Sequence, residues 1–186
     1  FMALERLGQR QLAIANIVRS VYVVLLIPVQ ALATTANTLV SNLIGSGGVS
    51  MVLGLLHKIA RFSFLIMVVC IGLCVAFPDV ILSVYSNDAS LISESMSALY
   101  VVCASMVIAS FANVYFNGIS GTGNTQAALV LEIFVQLFYA LYIIVVGMML
   151  RAPVDICFTT ELIYYALMLG ASLFYLKKAK WQNKKI

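Results

Sequence analysis

Charge is what this chain has least of. Asp, Glu, Lys and Arg make up 10% of its 186 residues, where a soluble globular domain carries about 25%. Inside its longest apolar runs there is almost none. That excludes a soluble helical bundle, whose helices present a polar outer face. Histidine and tryptophan occur once each. With a single His, His57, and no Ser/His/Asp set, no HExxH and no carboxylate pair on neighbouring positions, the common catalytic constellations are excluded and the chain reads as not an enzyme. Of the four cysteines, Cys70 and Cys74 stand one helical turn apart and Cys103 and Cys157 are isolated. With no further ligand beside them they read as small apolar fillers, not as a disulfide or a metal site.

What is abundant is hydrophobic sequence: 63% of the chain, with a mean hydropathy of +1.05. It is gathered into five runs, at 21–44, 62–84, 97–116, 126–150 and 156–176. A spanning helix needs roughly 20 apolar residues to cross a hydrocarbon core about 30 Å thick. Lipid offers backbone groups no partner, so each run must close its hydrogen bonds within itself as a helix. The fold class that follows is all-α: a polytopic transmembrane bundle of five spanning helices, with residues 1–186 as one unit and no room for a sizeable soluble domain.

The position of the charges sets the expected topology. Lys177, Lys178, Lys180, Lys184 and Lys185 form a basic tail at 177–186, and His57, Lys58 and Arg61 lie between the first two runs. The positive-inside rule puts both on the cytoplasmic side, with seven Lys and Arg inside against four outside: Arg6, Arg10, Arg19 and Arg151. Asp79, Asp88 and Glu94 then fall on the outer side, with no basic residue near them in sequence. Anionic lipid accounts for the lysine tail, and no nucleic-acid partner is read from it. Residues 1–12 read as the end of an earlier segment followed by a loop, not as a cleavable signal, so the expectation is a C-terminal portion of a longer chain. A Gly-rich stop at Gly45–Gly48 ends run one, and an amphipathic piece over 51–59 is expected to lie along the inner surface. Gly118, Gly121 and Gly123 are expected to form the inner turn between runs three and four. The 117–125 stretch lacks the lysine of a phosphate loop and follows no strand, so it is not read as a nucleotide site.

Polar residues within the runs are few and periodic. Gln30, Thr34, Asn37 and Ser41 share one helical face, a few residues after Pro28. They read either as hydrogen-bonding glue between helices or as the wall of a water-filled cavity. Ser110, Asn113 and Asn117 form a shorter stripe, for which helix packing is the first reading. Glu132, Gln136 and Tyr139 form a third. An intramembrane carboxylate is expensive and faces a partner, a cavity or an ion path, unless it snorkels to the interface. Glu161, followed by Tyr164 and Tyr165, reads first as an interfacial residue in an aromatic belt.

Several segments carry a resemblance. Leu7-Gly8-Gln9 through Leu12-Ala13-Ile14-Ala15-Asn16, then Ile27-Pro28, then Thr38 to Gly47 are similar to the segment that opens each half of MATE-type (multidrug and toxin extrusion) transporters. The Gly118–Thr125 stretch resembles the glycine turn after the fourth helix of a lobe. Glu161 to Tyr165, followed by Tyr175-Leu176 and Trp181, is similar to the last helices of bacterial members. The resemblance covers nearly the whole chain, as a C-terminal lobe without its first helix. It departs at Asn124, where the family often has Asp, and in lacking the carboxylates some members carry on the lobe's first and fourth helices.

The resemblance implies a secondary-active exporter of organic, often cationic, solutes, driven by Na+ or H+ antiport. It also implies the bacterial inner membrane, a cytoplasmic C-terminus and a partner N-terminal lobe of the same transporter. Gln30, Thr34, Asn37, Ser41, Asn113, Glu132, Gln136 and Tyr139 are the pathway residues expected on this reading, with no catalytic residue and no bound metal or cofactor beyond the coupling ion. The alternatives are a lipid-linked precursor flippase of the same wider superfamily, for which the runs lack the Arg or Lys that would meet a pyrophosphate, and a structural membrane subunit that transports nothing.

Overall fold

A computed structural model of the chain describes residues 8–149 and 153–178. The expectations placed on residues 1–7, on Arg151 and Ala152, and on Lys180, Trp181, Lys184 and Lys185 fall outside the described residues. Five helices are long and apolar enough to cross a membrane: α1 (Gln9–Gly45), α2 (Val52–Ala76), α4 (Ala89–Gly121), α5 (Thr125–Ile143) and α6 (Val154–Lys178). A short helix, α3 (Pro78–Ser83), sits between α2 and α4, and α5 widens into π-helical turns over Ile144–Met149. Among the described residues there is no strand.

The helices outrun the apolar stretches that announce them. α1 is 37 residues long and continues unbroken through Pro28, which leaves the carbonyl four residues earlier without its N–H partner. It stops at a turn in which Gly47 adopts φ +83 and the Gly48 N–H reaches back to the Leu43 carbonyl at 2.8 Å, a helix stop that needs a left-handed residue. The segment at 51–59 is not a surface helix. A 3-10 turn at Val49–Met51 leads directly into α2, because Val52, Leu56 and Ala60 are buried against Val40, Val114 and Ile119. At the other end α2 stops at Phe77 before Pro78, so the run at 62–84 is divided in two. Asp88 caps α4, accepting from the Ser90 N–H at 2.9 Å. Glu94 does have a basic partner: Arg10 of α1 meets it at 2.7 Å.

α4 is the centre of the bundle and packs on α1, α6 and α2. Two of its glycines explain why. A Cβ on Gly121 would stand 2.6 Å from the Asn37 carbonyl oxygen, and one on Gly118 would run into Leu56. Both lie inside α4, where they let α1 and α2 approach, and only Gly123 (φ +77) belongs to the turn. The expected three-glycine turn is thus one turn glycine and two packing glycines. Asn124 in that turn donates to the Tyr175 hydroxyl, fastening the α4–α5 connection to α6. The buried apolar residues fall into two clusters. One is built around Val18, Val29, Leu99, Met106 and Met168, the other around Ala36, Val40, Leu56, Val114 and Leu176.

Candidate functional site

The polar residues of four helices meet where the two apolar clusters adjoin. On α1, Gln30 lies between Val29 of one cluster and Ala36 of the other, and on α5, Glu132 lies between Ala128 and Val135. A cleft of about 440 Å³ opens there, with Gln30 from α1, Asn113, Phe116, Asn117 and Ser120 from α4, Thr125 and Glu132 from α5, and Tyr164 and Met168 from α6 on its walls.

Its polar groups are held in place by one another. The Gln30 side-chain amide donates to Asn113 Oδ1 at 3.4 Å. Asn113, only 6% exposed, donates through Nδ2 to the Ala109 carbonyl at 3.0 Å. Asn117 donates in the same way to the Asn113 carbonyl at 3.0 Å. Across the cleft the Tyr164 hydroxyl donates to Glu132 Oε1 at 3.0 Å. No lining residue is Lys or Arg, so Glu132 is the one acidic or basic side chain on the walls, which it shares with the aromatic residues Phe116 and Tyr164. A carboxylate beside aromatic residues, with no basic side chain on the walls, suits a cation better than an anion.

Of the eight residues expected to line the pathway, the fold gathers Gln30, Asn113 and Glu132 at this cleft. The others lie elsewhere. Thr34 is exposed and donates to the Gln30 carbonyl at 2.9 Å. Asn37 is half-buried, its carbonyl against Gly121. Ser41 donates to the Gly121 carbonyl at 3.0 Å, which makes it interhelical glue. Gln136 is exposed and off the walls. The stripe on α1 therefore divides, its first residue facing the cleft and its last fastening α4.

Tyr139 belongs to a second cluster that the sequence did not disclose. Glu161 is held by tyrosines of two other helices. Its Oε2 accepts from the Tyr22 hydroxyl of α1 at 3.0 Å, and its Oε1 accepts from Tyr139 of α5 at 3.4 Å. Tyr22 and Tyr165 hydroxyls stand 2.9 Å apart. The Tyr139 and Tyr164 rings meet edge to face at 5.7 Å. α5 and α6 thus exchange carboxylates and tyrosines: Tyr164 serves Glu132 and Tyr139 serves Glu161, with Tyr142 and Thr159 at 2.9 Å as a further rung. The i, i+3, i+4 spacing of Glu161, Tyr164 and Tyr165 shows a shared face. Nothing in the sequence pointed to Tyr22, 139 residues away.

Five helices long and apolar enough to span a membrane, with an open polar cleft among them, give the architecture, and a family model decides the family. The model named MatE matches residues 1–157. The chain belongs to the MatE family. Comparison with curated proteins gives no match, and comparison with solved structures gives none. Membership supports a MATE-type transporter, in a family of transporters and not of enzymes, and the five apolar helices support a multi-pass membrane protein. Among the described residues, no three His, Cys, Asp or Glu side chains stand close enough to hold a metal ion.

Proposed function

We propose that this MatE chain carries organic, cationic solutes out of the cell by secondary-active antiport with Na+ or H+, and that the cleft between α1, α4, α5 and α6 is part of the solute pathway. The observation that supports the reading most is the convergence of Gln30, Asn113 and Glu132 from three separate helices on one space. The Glu132 carboxylate supplies charge, Phe116 and Tyr164 supply apolar aromatic surface, and the amides of Gln30 and Asn113 supply orientation. The cleft works against a companion lobe of the same transporter, the two rocking about the shared site. The chain lies in the bacterial inner membrane with its C-terminal end in the cytoplasm, where exposed Lys177 and Lys178 close α6. A lipid pyrophosphate is a poorer fit, since no lining residue is cationic.

The test is efflux from cells stripped of their own exporters and expressing the full coding sequence. Glu132→Gln and Gln30→Ala should each lower export of a fluorescent organic cation, Glu132→Gln by at least about tenfold, the loss of one close charge contact. Export unchanged in both variants, at equal amounts of protein in the membrane, removes the cleft from the pathway.

A further inference from the structure

α5 and α6 also enclose a groove that shares no lining residue with the cleft. It holds about 590 Å³ and runs between Leu131 and Phe134 of α5 and Gly170, Ala171 and Phe174 of α6. Tyr175 and Lys178 line it where α6 ends. We propose that this groove is a binding site for an anionic phospholipid of the leaflet in which α6 ends. Lys178 and Tyr175 hold the headgroup phosphate, and one acyl chain lies along Phe134, Gly170 and Phe174. The proposal needs the chain to stand in lipid and takes nothing from the solute pathway.

The sign of the charge comes first. The cleft has one carboxylate and no basic side chain; the groove has one ammonium and no carboxylate. Two neighbouring spaces in one helix pair thus suit ions of opposite sign. Lys178 is exposed, yet its ammonium does not extend away from the groove. It stands 4.9 Å from the centre of the Phe174 ring, a cation–π contact that keeps the charge beside the apolar bed. Tyr175 adds a donor. Its oxygen accepts from the Asn124 amide, which leaves the phenol's own proton for a phosphate oxygen.

The order of the residues matches the order of groups in a phospholipid. From Lys178 back to Gly170 is eight residues of α6, about 12 Å at 1.5 Å each. One leaflet's share of the hydrocarbon is about 15 Å. Charge and hydroxyl lie at the helix end, and aromatic and small residues lie deeper. Gly170 makes the space. Glycine is a poor helix residue, and inside a helix it is ordinarily kept for close packing. Gly118 and Gly121 have that reason, whereas a Cβ on Gly170 would meet nothing within 4 Å among the described residues. Phe134 and Phe174 on either side are half or more exposed. Lipid tails are as apolar as leucine, so a greasy groove by itself selects no lipid. Selection falls to the lysine and the phenol, and the preference they give is for headgroup charge.

The test uses the purified protein from its full coding sequence in neutral detergent. A phosphatidylglycerol carrying a diazirine on one acyl chain is photolysed on the protein, and the labelled residues are mapped by peptide mass spectrometry. In the unchanged protein, label should appear within 131–134 and 170–174. Unlabelled phosphatidylglycerol should displace it at about fivefold lower concentration than phosphatidylcholine of the same chains, the effect of one lysine near anionic lipid. Lys178→Gln should bring the two competitors level. Gly170→Leu puts a side chain into the open groove and should lower label in both segments at least tenfold. Lys58→Gln removes the same charge at the same end of the bundle, where Leu56 and Leu176 are buried together, and should leave the preference intact. Absence of label from both segments in the unchanged protein overturns the site, whether the groove is empty or another helix of the full chain covers it. So does full labelling in Gly170→Leu. Where that variant fails to run as a single species, a fivefold preference kept in Lys178→Gln overturns the headgroup assignment. An equal loss of preference in Lys58→Gln overturns it too, in favour of a general attraction of anionic lipid to the basic end.

Discussion

α4 and α5 follow one another in the chain and are both apolar enough to span a membrane, yet they occupy opposite environments. In the most apolar stretch of α4, 61% of the residues are buried; in that of α5, the greasier of the two, 11% are. α4 buries Ala98, Ser105, Ala109, Ser110, Ala112, Asn113 and Gly118, while α5 exposes Leu129, Val130, Ile133, Phe134, Leu137 and Phe138. The order is the reverse of a soluble protein's. Lipid tails are as apolar as leucine, so greasiness confers no preference for the interior, and close approach and hydrogen bonding decide what lies inside. The candidate cleft stands on this contrast: α4 supplies a rigid wall, and α5 brings Glu132 on the narrow strip of its surface that faces protein.

The comparison breaks first if a change of one methyl on α4 is tolerated. Gly121→Ala would place a Cβ 2.6 Å from the Asn37 carbonyl oxygen, backbone that cannot turn aside. It should cost about 2–3 kcal/mol, the upper end of overpacking, read as a lower midpoint for thermal aggregation in detergent. Leu137→Met on the exposed side of α5 changes shape as much and should move that midpoint within the scatter of replicate scans, since conservative surface changes stay within about 0.5 kcal/mol. Equal effects would mean that α5 packs against something with its outer face.

Two amides sharpen it next. Asn113 is buried and bonded to Ala109 and Gln30, whereas Gln136 is exposed. Asn113→Leu leaves the Gln30 amide without its acceptor and should destabilise by about 1–2 kcal/mol while weakening binding of an organic cation. Gln136→Leu should be neutral in both assays. A loss of binding in Gln136→Leu alone would move the pathway to the other side of α5.

How much of this was legible beforehand follows from the same contrast. Spans are a property of hydropathy, which is local, so all five were plain in the sequence. Their ends were not, because Val52, Leu56 and Ala60 join α2 only through contacts with α1 and α4. The stripes gave the right residue type at the right spacing, but a helix face is not yet a cleft. Gln30 and Ser41 share a face, and only the neighbour each one meets, Asn113 or the Gly121 carbonyl, separates cleft wall from glue. Gly118 and Gly121 read as turn residues because a glycine's two uses, left-handed backbone and close approach, leave the same letter in the sequence.

The smallest effect lies at the end where α1 and α4 begin. Arg10 grips Glu94 at 2.7 and 3.0 Å and Ser90 at 2.6 Å, but both members of the pair are largely exposed, and exposed pairs are screened by salt. Asp88 caps the same helix end, and hydrogen bonds from the Ser90 backbone and side chain hold its carboxyl below the usual carboxylate range. A carboxyl depressed in the folded state contributes stability that is present above its unfolded value of about 3.9 and is lost as pH falls through the lower folded value. Asp88→Asn keeps the cap, since asparagine serves there as well as aspartate. It should leave the thermal midpoint at neutral pH unchanged and remove a small part of the decline below about pH 4. Glu94→Gln should shift the midpoint slightly at low salt and not at all in molar salt. A loss on the scale of Gly121→Ala at this exposed end would show that the two helix starts, and not the glycine contacts of α4, hold the bundle together.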